Sequence, residues 1–192
     1  MYKLCKTEQS SARQRKLERG LLEAMLSQHY GEISVSDLCD SMGIPRKSFY
    51  RYFSGKDGAL YALIDHTILE YEGWFSQGNG REAKNCKKEM EQFFRFWKEH
   101  RILLDALYRS NLTGALVQRV LGHATADMGL SGRMLMQDNR TVTEHAITFT
   151  VCGLMSLLLK WHESGFDMTA SQIAAISVEL LTKPLFAPET SL

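Results

Sequence analysis

Apolar residues recur at three-to-four spacing through most of the 192-residue chain, and few runs alternate with period two. That pattern predicts helices throughout and no sheet. The first helix spans about Ala12 to Tyr30. Leu17, Leu21, Leu22, Met25 and Leu26 share one side of it, Arg13, Arg15, Lys16 and Arg19 take the other, and Gly31 stops it. Two short helices follow. Val35–Ser41 leads into a Gly-centred turn, Met42-Gly43-Ile44. The next helix opens on Pro45 at its first position, where a missing N–H costs nothing. Longer periodic segments run from Lys56 to about Trp74 and from about Glu82 to Glu99, and a short apolar segment, Ile102 to Tyr108, follows. Others run from Thr113 to about Met128, from Val142 to about Glu163 and from Ala170 to about Lys183. Gly78-Asn79-Gly80 reads as a loop, and the stretch from Gly129 through Gly132 to Arg140 carries the weakest signal. Four helix starts share capping-box spacing: Ser34-x-x-Asp37, Ser54-x-x-Asp57, Thr141-x-x-Glu144 and Thr169-x-x-Gln172. The prediction is an all-α chain of about nine helices. A three-helix helix-turn-helix domain occupies residues 1–55 and a helical body residues 56–192.

The densest chemistry lies in residues 34–56. Phe49 and Phe53, four apart, face inward against Leu38 and the first helix, which turns Arg46, Lys47, Ser48 and Tyr50 outward. A short rod with such a face suits the major groove of DNA. Arg46 can pair bidentately with guanine O6 and N7, and Lys47 can reach the same edge or a phosphate. Tyr50 and Tyr52 are expected to donate hydroxyls to phosphate oxygens. Lys56, in the first turn of the following helix, is expected to complete a phosphate clamp. A solvated amphipathic helix accounts for any one of these cations. It does not account for the Gly-centred turn, the proline at the helix start and the aromatic pair at this spacing.

Charge sharpens the picture. The net charge is only +1, but residues 1–56 hold ten Lys/Arg against six Asp/Glu, while the remainder holds thirteen against sixteen. A positive end on a negative body suits a protein that presents one face to phosphates. Three prolines, two of them in the last nine residues, leave the helices uninterrupted. Cys5, Cys39, Cys86 and Cys152 are scattered without metal-ligand spacing, and Cys39 and Cys152 read as small core residues. No signal peptide is apparent, and the longest apolar run, around Val151 to Leu159, falls far short of a membrane span. A cytoplasmic chain with no membrane partner is expected. His66, His100, His123, His145 and His162 are isolated, so no metal or cofactor is expected. No nucleophile elbow, P-loop or paired catalytic carboxylates support an enzyme.

The segment Leu21 to Leu63 resembles the N-terminal domain of TetR-family transcriptional regulators. The resemblance rests on Ser34-Val35-x-Asp37-Leu38-Cys39-x-x-Met42-Gly43-Ile44-x-x-x-Ser48-Phe49-Tyr50-x-Tyr52-Phe53-x-x-Lys56-x-x-Leu60. Family members usually carry Ala at the Cys39 and Met42 positions, and many carry small residues where this chain has Arg46-Lys47. The resemblance implies a homodimer that binds a palindromic double-stranded DNA operator, usually as a repressor. It also implies that Ser36, Arg46, Lys47, Ser48, Tyr50, Tyr52 and Lys56 contact the DNA.

In the body, Ile147, Val151, Leu154, Leu158 and Trp161 form a four-three-four-three stripe, and Ile173, Ile176, Leu180 and Leu181 a similar one. The resemblance places a four-helix dimer interface there; packing within the subunit is the alternative. It further implies an effector cavity, for which Phe94, Trp97, Tyr108, Met128, Phe149 and Met155 are the candidates. Met with aromatics suits an apolar or flat small-molecule ligand. An ordinary helical core accounts for any one of these residues. A DNA-bound regulator whose body binds another protein, with no small-molecule effector, is the alternative function.

Overall fold

The computed structural model describes residues 2, 5, 7–75, 86–126 and 140–183. The expected loop at Gly78, the start at Glu82, Met128, the Gly129–Gly132 stretch and Pro184 lie outside them. Among the described residues there are nine α-helices: α1 (Glu8–Ser27), α2 (Val35–Ser41), α3 (Arg46–Tyr50), α4 (Lys56–Trp74), α5 (Cys86–Glu99), α6 (Arg101–Arg109), α7 (Thr113–Ala126), α8 (Arg140–Glu163) and α9 (Ala170–Thr182). A short 3-10 turn covers Tyr30–Glu32, and the one β pairing described is a single antiparallel bridge between Tyr2 and Phe53. The all-α prediction holds.

Boundaries moved where local chemistry outweighed apolar spacing. α1 starts earlier than Ala12 because Thr7 caps it, accepting from the Ser10 N–H at 3.3 Å. It ends at Ser27, and Tyr30 enters the 3-10 turn instead. Pro45 is the N-cap of α3, with extended backbone, and not its first helical residue. The Ser34–Asp37 cap forms, and Thr169–Gln172 closes a full capping box. Thr141 is not a cap: α8 begins at Arg140, so Thr141 sits inside the helix and its carbonyl faces His145 Nδ1 at 2.8 Å.

The chain forms two compact units. Residues 1–72 and 102–123 make the first, and residues 73–101 and 124–192 the second. The first is therefore larger than the expected 1–55 segment, because most of α4 and the α6–α7 pair belong to it. Its core includes Leu17, Leu21, Leu38, Phe49, Phe53, Leu60 and Ile64. It also buries a carboxylate. Asp65, fully buried on α4, accepts from Arg119 through Nε at 2.6 Å and through Nη2, and from the Tyr2 hydroxyl at 2.8 Å. His123 Nε2 lies 3.2 Å away. The hydrogen bond to Asp65 raises the Arg119 pKa, and burial followed by the same carboxylate pushes the Tyr2 hydroxyl up to about 12. This buried charge is compensated by three groups.

In the second unit α9 packs chiefly against α5 and more lightly against α8. Trp161 meets Phe94 edge-on at 5.7 Å and donates its indole N–H to the Met168 carbonyl at 3.1 Å. Helix α8 is unusual. Over Thr141–Glu163 it is long and apolar enough to cross a membrane, with mean hydropathy 1.5, yet only 28% of that window is buried within the chain. The apolar run itself, Val151 to Leu159, is short; Thr, Phe, Ile and Ala on its N-terminal side bring the whole helix to that length and composition.

Candidate nucleic-acid interface

The α2–turn–α3 unit is built from local rules. The Ser34 hydroxyl accepts the Asp37 N–H at 3.0 Å and starts α2. Gly43 ends it with φ +63°, donating to the Asp40 carbonyl at 3.1 Å, while the Ile44 N–H reaches the Cys39 carbonyl at 2.9 Å. That pair of bonds is a Schellman closure, which requires a left-handed residue where glycine is least strained. The chain then re-enters helix after Pro45. Phe49 and Phe53 are buried with ring centroids 5.1 Å apart, and Leu38 is buried in the same unit. Burial also raises the pKa of the Cys39 thiol, which matches the expected core role.

With that anchor inside, Arg46, Lys47 and Tyr50 are exposed and Ser48 is half-buried. Tyr50 is 53% exposed, and its ring meets Phe49 edge-on at 5.7 Å. Arg46 Nη1 donates to Ser36 Oγ at 3.1 Å, so the two helices share a brace at the outer surface. Ser36 thus meets Arg46, a contact that sequence reasoning did not anticipate.

Two expected phosphate donors are differently engaged. Tyr52 is buried, 5% exposed, and packs beside Phe53 at 6.2 Å. Its position three residues after Phe49 puts it on the anchoring side as the chain leaves α3. Lys56 Nζ donates to the Tyr30 carbonyl at 2.6 Å, the Ile33 carbonyl at 2.7 Å and the Gly31 carbonyl at 3.3 Å, and lies 4.5 Å from the centre of the Tyr30 ring. An ammonium has three protons, and all three are directed into the chain. Tyr30 itself donates to Asp57 at 2.5 Å, and burial together with that carboxylate raises its pKa. Lys56 is thereby a structural pin on the α1–α2 connection.

Beside α3 lies a depression of about 240 Å³, lined by Arg13, Lys16 and Leu17 of α1 and by Ile44, Ser48, Arg51 and Tyr52. The sequence placed Arg13 and Lys16 on the outer side of α1. Only the fold puts them next to Arg51.

The effector candidates are drawn from both units. Phe94, Trp97 and Met155 are buried in the second unit. Tyr108 belongs to the first unit and is 45% exposed, and Phe149 is 69% exposed. Met128 lies outside the described residues. The interface candidates divide as well. Ile147, Leu158, Trp161 and Ile173 are buried in their own unit, Val151 and Leu154 are half-buried, and Ile176 and Leu180 are exposed. Among the described residues of these two helices, the exposed large apolar side chains are Val142 and Phe149 on α8 and Ile176, Leu180 and Leu181 on α9.

Known proteins share this architecture, a helix-turn-helix unit followed by a larger helical body. No protein-family model matches the chain. It is 34% identical over 77 residues to the HTH-type transcriptional regulator EthR of Mycolicibacterium smegmatis, 37% of this chain and 35% of that relative, so the match spans about a third of the relative's length. The solved structure of the fatty acid degradation regulator FadR from Bacillus halodurans superposes with a TM-score of 0.66 at 14% identity, covering 90% of this chain and 96% of that one. A TetR-family transcriptional regulator from Streptomyces coelicolor superposes at 0.54 with 19% identity, covering 88% and 78%. The chain has the helical fold of these transcriptional regulators.

Proposed function

We propose that this chain is a sequence-specific DNA-binding transcriptional regulator acting as a cytoplasmic homodimer. It is a repressor released from a palindromic operator by a small apolar or aromatic effector. One observation carries the DNA reading: a short helix anchored by Phe49 and Phe53 holds Arg46, Lys47 and Tyr50 open to solvent. The Ser36 brace supports Arg46 as the base reader, since a guanidinium already held in place loses less freedom on pairing with guanine. Ser48 and Tyr50 serve the flanking phosphates. The sparsely covered α8 supports the homodimer, because a helix this apolar needs a partner surface. Its partner is a second copy, which also sets the spacing of the two recognition helices.

Effector control rests on the helical body. Phe94, Trp97 and Met155 border the proposed ligand site, and α4 begins in the first unit and ends in the second, so it can carry a shift to the recognition helix. The test has two arms. Duplexes selected from a random pool define the operator. Arg46→Ala is expected to weaken binding to the selected site about 5- to 150-fold while changing random-duplex affinity far less. Failure of the wild-type chain to enrich any sequence would overturn the assignment. Thermal-shift screening against small hydrophobic molecules tests the effector, since a ligand preferring the folded state raises Tm. The protein-interaction alternative gains if no such molecule does so.

A further inference from the structure

The expected phosphate clamp at Lys56 is committed to three backbone carbonyls, yet the recognition helix still needs groups that fix its register on the duplex. We propose that Arg13, Lys16 and Arg51 form a displaced clamp for the DNA backbone, with Ser48 joining it to the base-reading face. This rests on the DNA-binding reading given above. Arg13 and Lys16 are three apart on α1, so they share one side of that helix. The fold places them around one depression with Arg51, which follows α3 directly.

All three cations are exposed, and among the described residues none of the three forms an ion pair with a carboxylate. Other exposed cations of the chain do find such partners, as in Arg95–Glu91, Lys160–Glu163 and Lys183–Glu179. No acidic side chain lines the depression. Three like charges gathered without a counter-charge repel one another, and a polyanion relieves that repulsion. Ser48 lines the depression while belonging to α3, so a strand whose bases meet Arg46 and Lys47 has its sugar-phosphate backbone in reach of this cluster. The chemistry recognised is a phosphodiester, and the cluster reads no sequence.

The experiment compares the wild-type chain, R13Q/K16Q/R51Q and K56Q on a random-sequence duplex of fixed length at several salt concentrations. Each phosphate contact adds about 0.9 to the slope of log affinity against log salt, so the triple variant is expected to lose about 2 to 3 of that slope. Between 50 and 200 mM salt the wild type is then expected to weaken roughly 40-fold more than the triple variant. The replaced side chains are exposed, so the triple variant's Tm is expected to hold, whereas K56Q is expected to lower Tm and to change the slope by less than one. An unchanged slope in a folded triple variant overturns the clamp while leaving the DNA reading intact. A wild type that binds no duplex overturns both. Inorganic pyrophosphate supplies the last arm: saturable micromolar binding that the triple variant abolishes, with duplex affinity unaffected, assigns the cluster to a free anion and overturns the proposal.

Discussion

At the scale of single residues, two positions carry more than their side-chain chemistry suggests. Gly43 adopts φ +63° with nothing within 4 Å of where a Cβ would sit. A side chain there meets conformational strain alone. Gly43→Ala is therefore expected to cost about 1–2 kcal/mol, visible as a lowered chemical-denaturation midpoint, while Gly43→Asn costs less because Asn tolerates the left-handed region. Lys56 is the second. Lys56→Met keeps the stem but removes the ammonium donor from three carbonyls, of which Tyr30's still accepts the Ile33 N–H, with an expected loss of about 1–3 kcal/mol by the same measurement. A variant as stable as wild type would contradict the pin. Both residues stood out in the sequence, but only one was read for what it does. Glycine at a turn is a local signal. The partners of Lys56 lie 23 to 26 residues away and are backbone atoms, which no side-chain pattern advertises.

Between elements, the crossing of α1 and α2 shows how a departure from the family pattern is accommodated. Met42 stands where the resemblance leads one to expect Ala, and α1 presents Gly20 to it. A Cβ on Gly20 would come within 2.3 Å of the Met42 sulfur and 2.6 Å of its methyl. The larger residue on one helix is matched by the missing side chain on the other, so the helices keep their approach. Gly20→Ala alone is expected to destabilise the chain as Met42 is displaced, and Met42→Ala alone to leave a void. The double variant, small on both sides, is expected to recover most of the combined loss, read as a coupling of about 0.5–3 kcal/mol in a denaturation cycle. Strict additivity would mean the contact is incidental. This level was half legible. Phe49 and Phe53 at i,i+4, the Ser34 cap and the Gly43 stop are short-range features, and α2 and α3 emerged where they were expected. Gly20 carries no hydrophobic signal, and its meaning appears only when α2 lies across it. The Asp65 site is similar. Its donors Tyr2 and Arg119 sit 63 and 54 residues away, so a charge on an otherwise apolar stretch of α4 gave no hint of its partners.

For the whole molecule the question is what covers α8. Apolar spacing along the sequence reports that a helix has a greasy side, not which surface meets it, and here the recognised stripe faces largely inward. Ile147, Leu158 and Trp161 fill the second unit, while Val142 and Phe149 on α8, with Ile176 and Leu180 on α9, are uncovered. If the chain works as the proposed homodimer, these two groups respond differently to the same insult. Ile147→Asp places a charge in a packed core and is expected to lower Tm sharply whatever the oligomeric state. Phe149→Asp places it on an open surface, so the fold is expected to survive. The mass by light scattering is then expected to fall from twice the 21.9 kDa chain to a single copy. Operator affinity is expected to fall with it, because one recognition helix reads only one half-site. Retention of the dimer in Phe149→Asp and in an Ile176→Asp counterpart would move the interface elsewhere. A wild type recovered only with detergent or lipid would assign α8 to a membrane instead, the other environment in which so apolar a surface is stable. The two outcomes separate because a dimer interface saturates at a mass of two chains, whereas partitioning into lipid follows the amount of bilayer supplied.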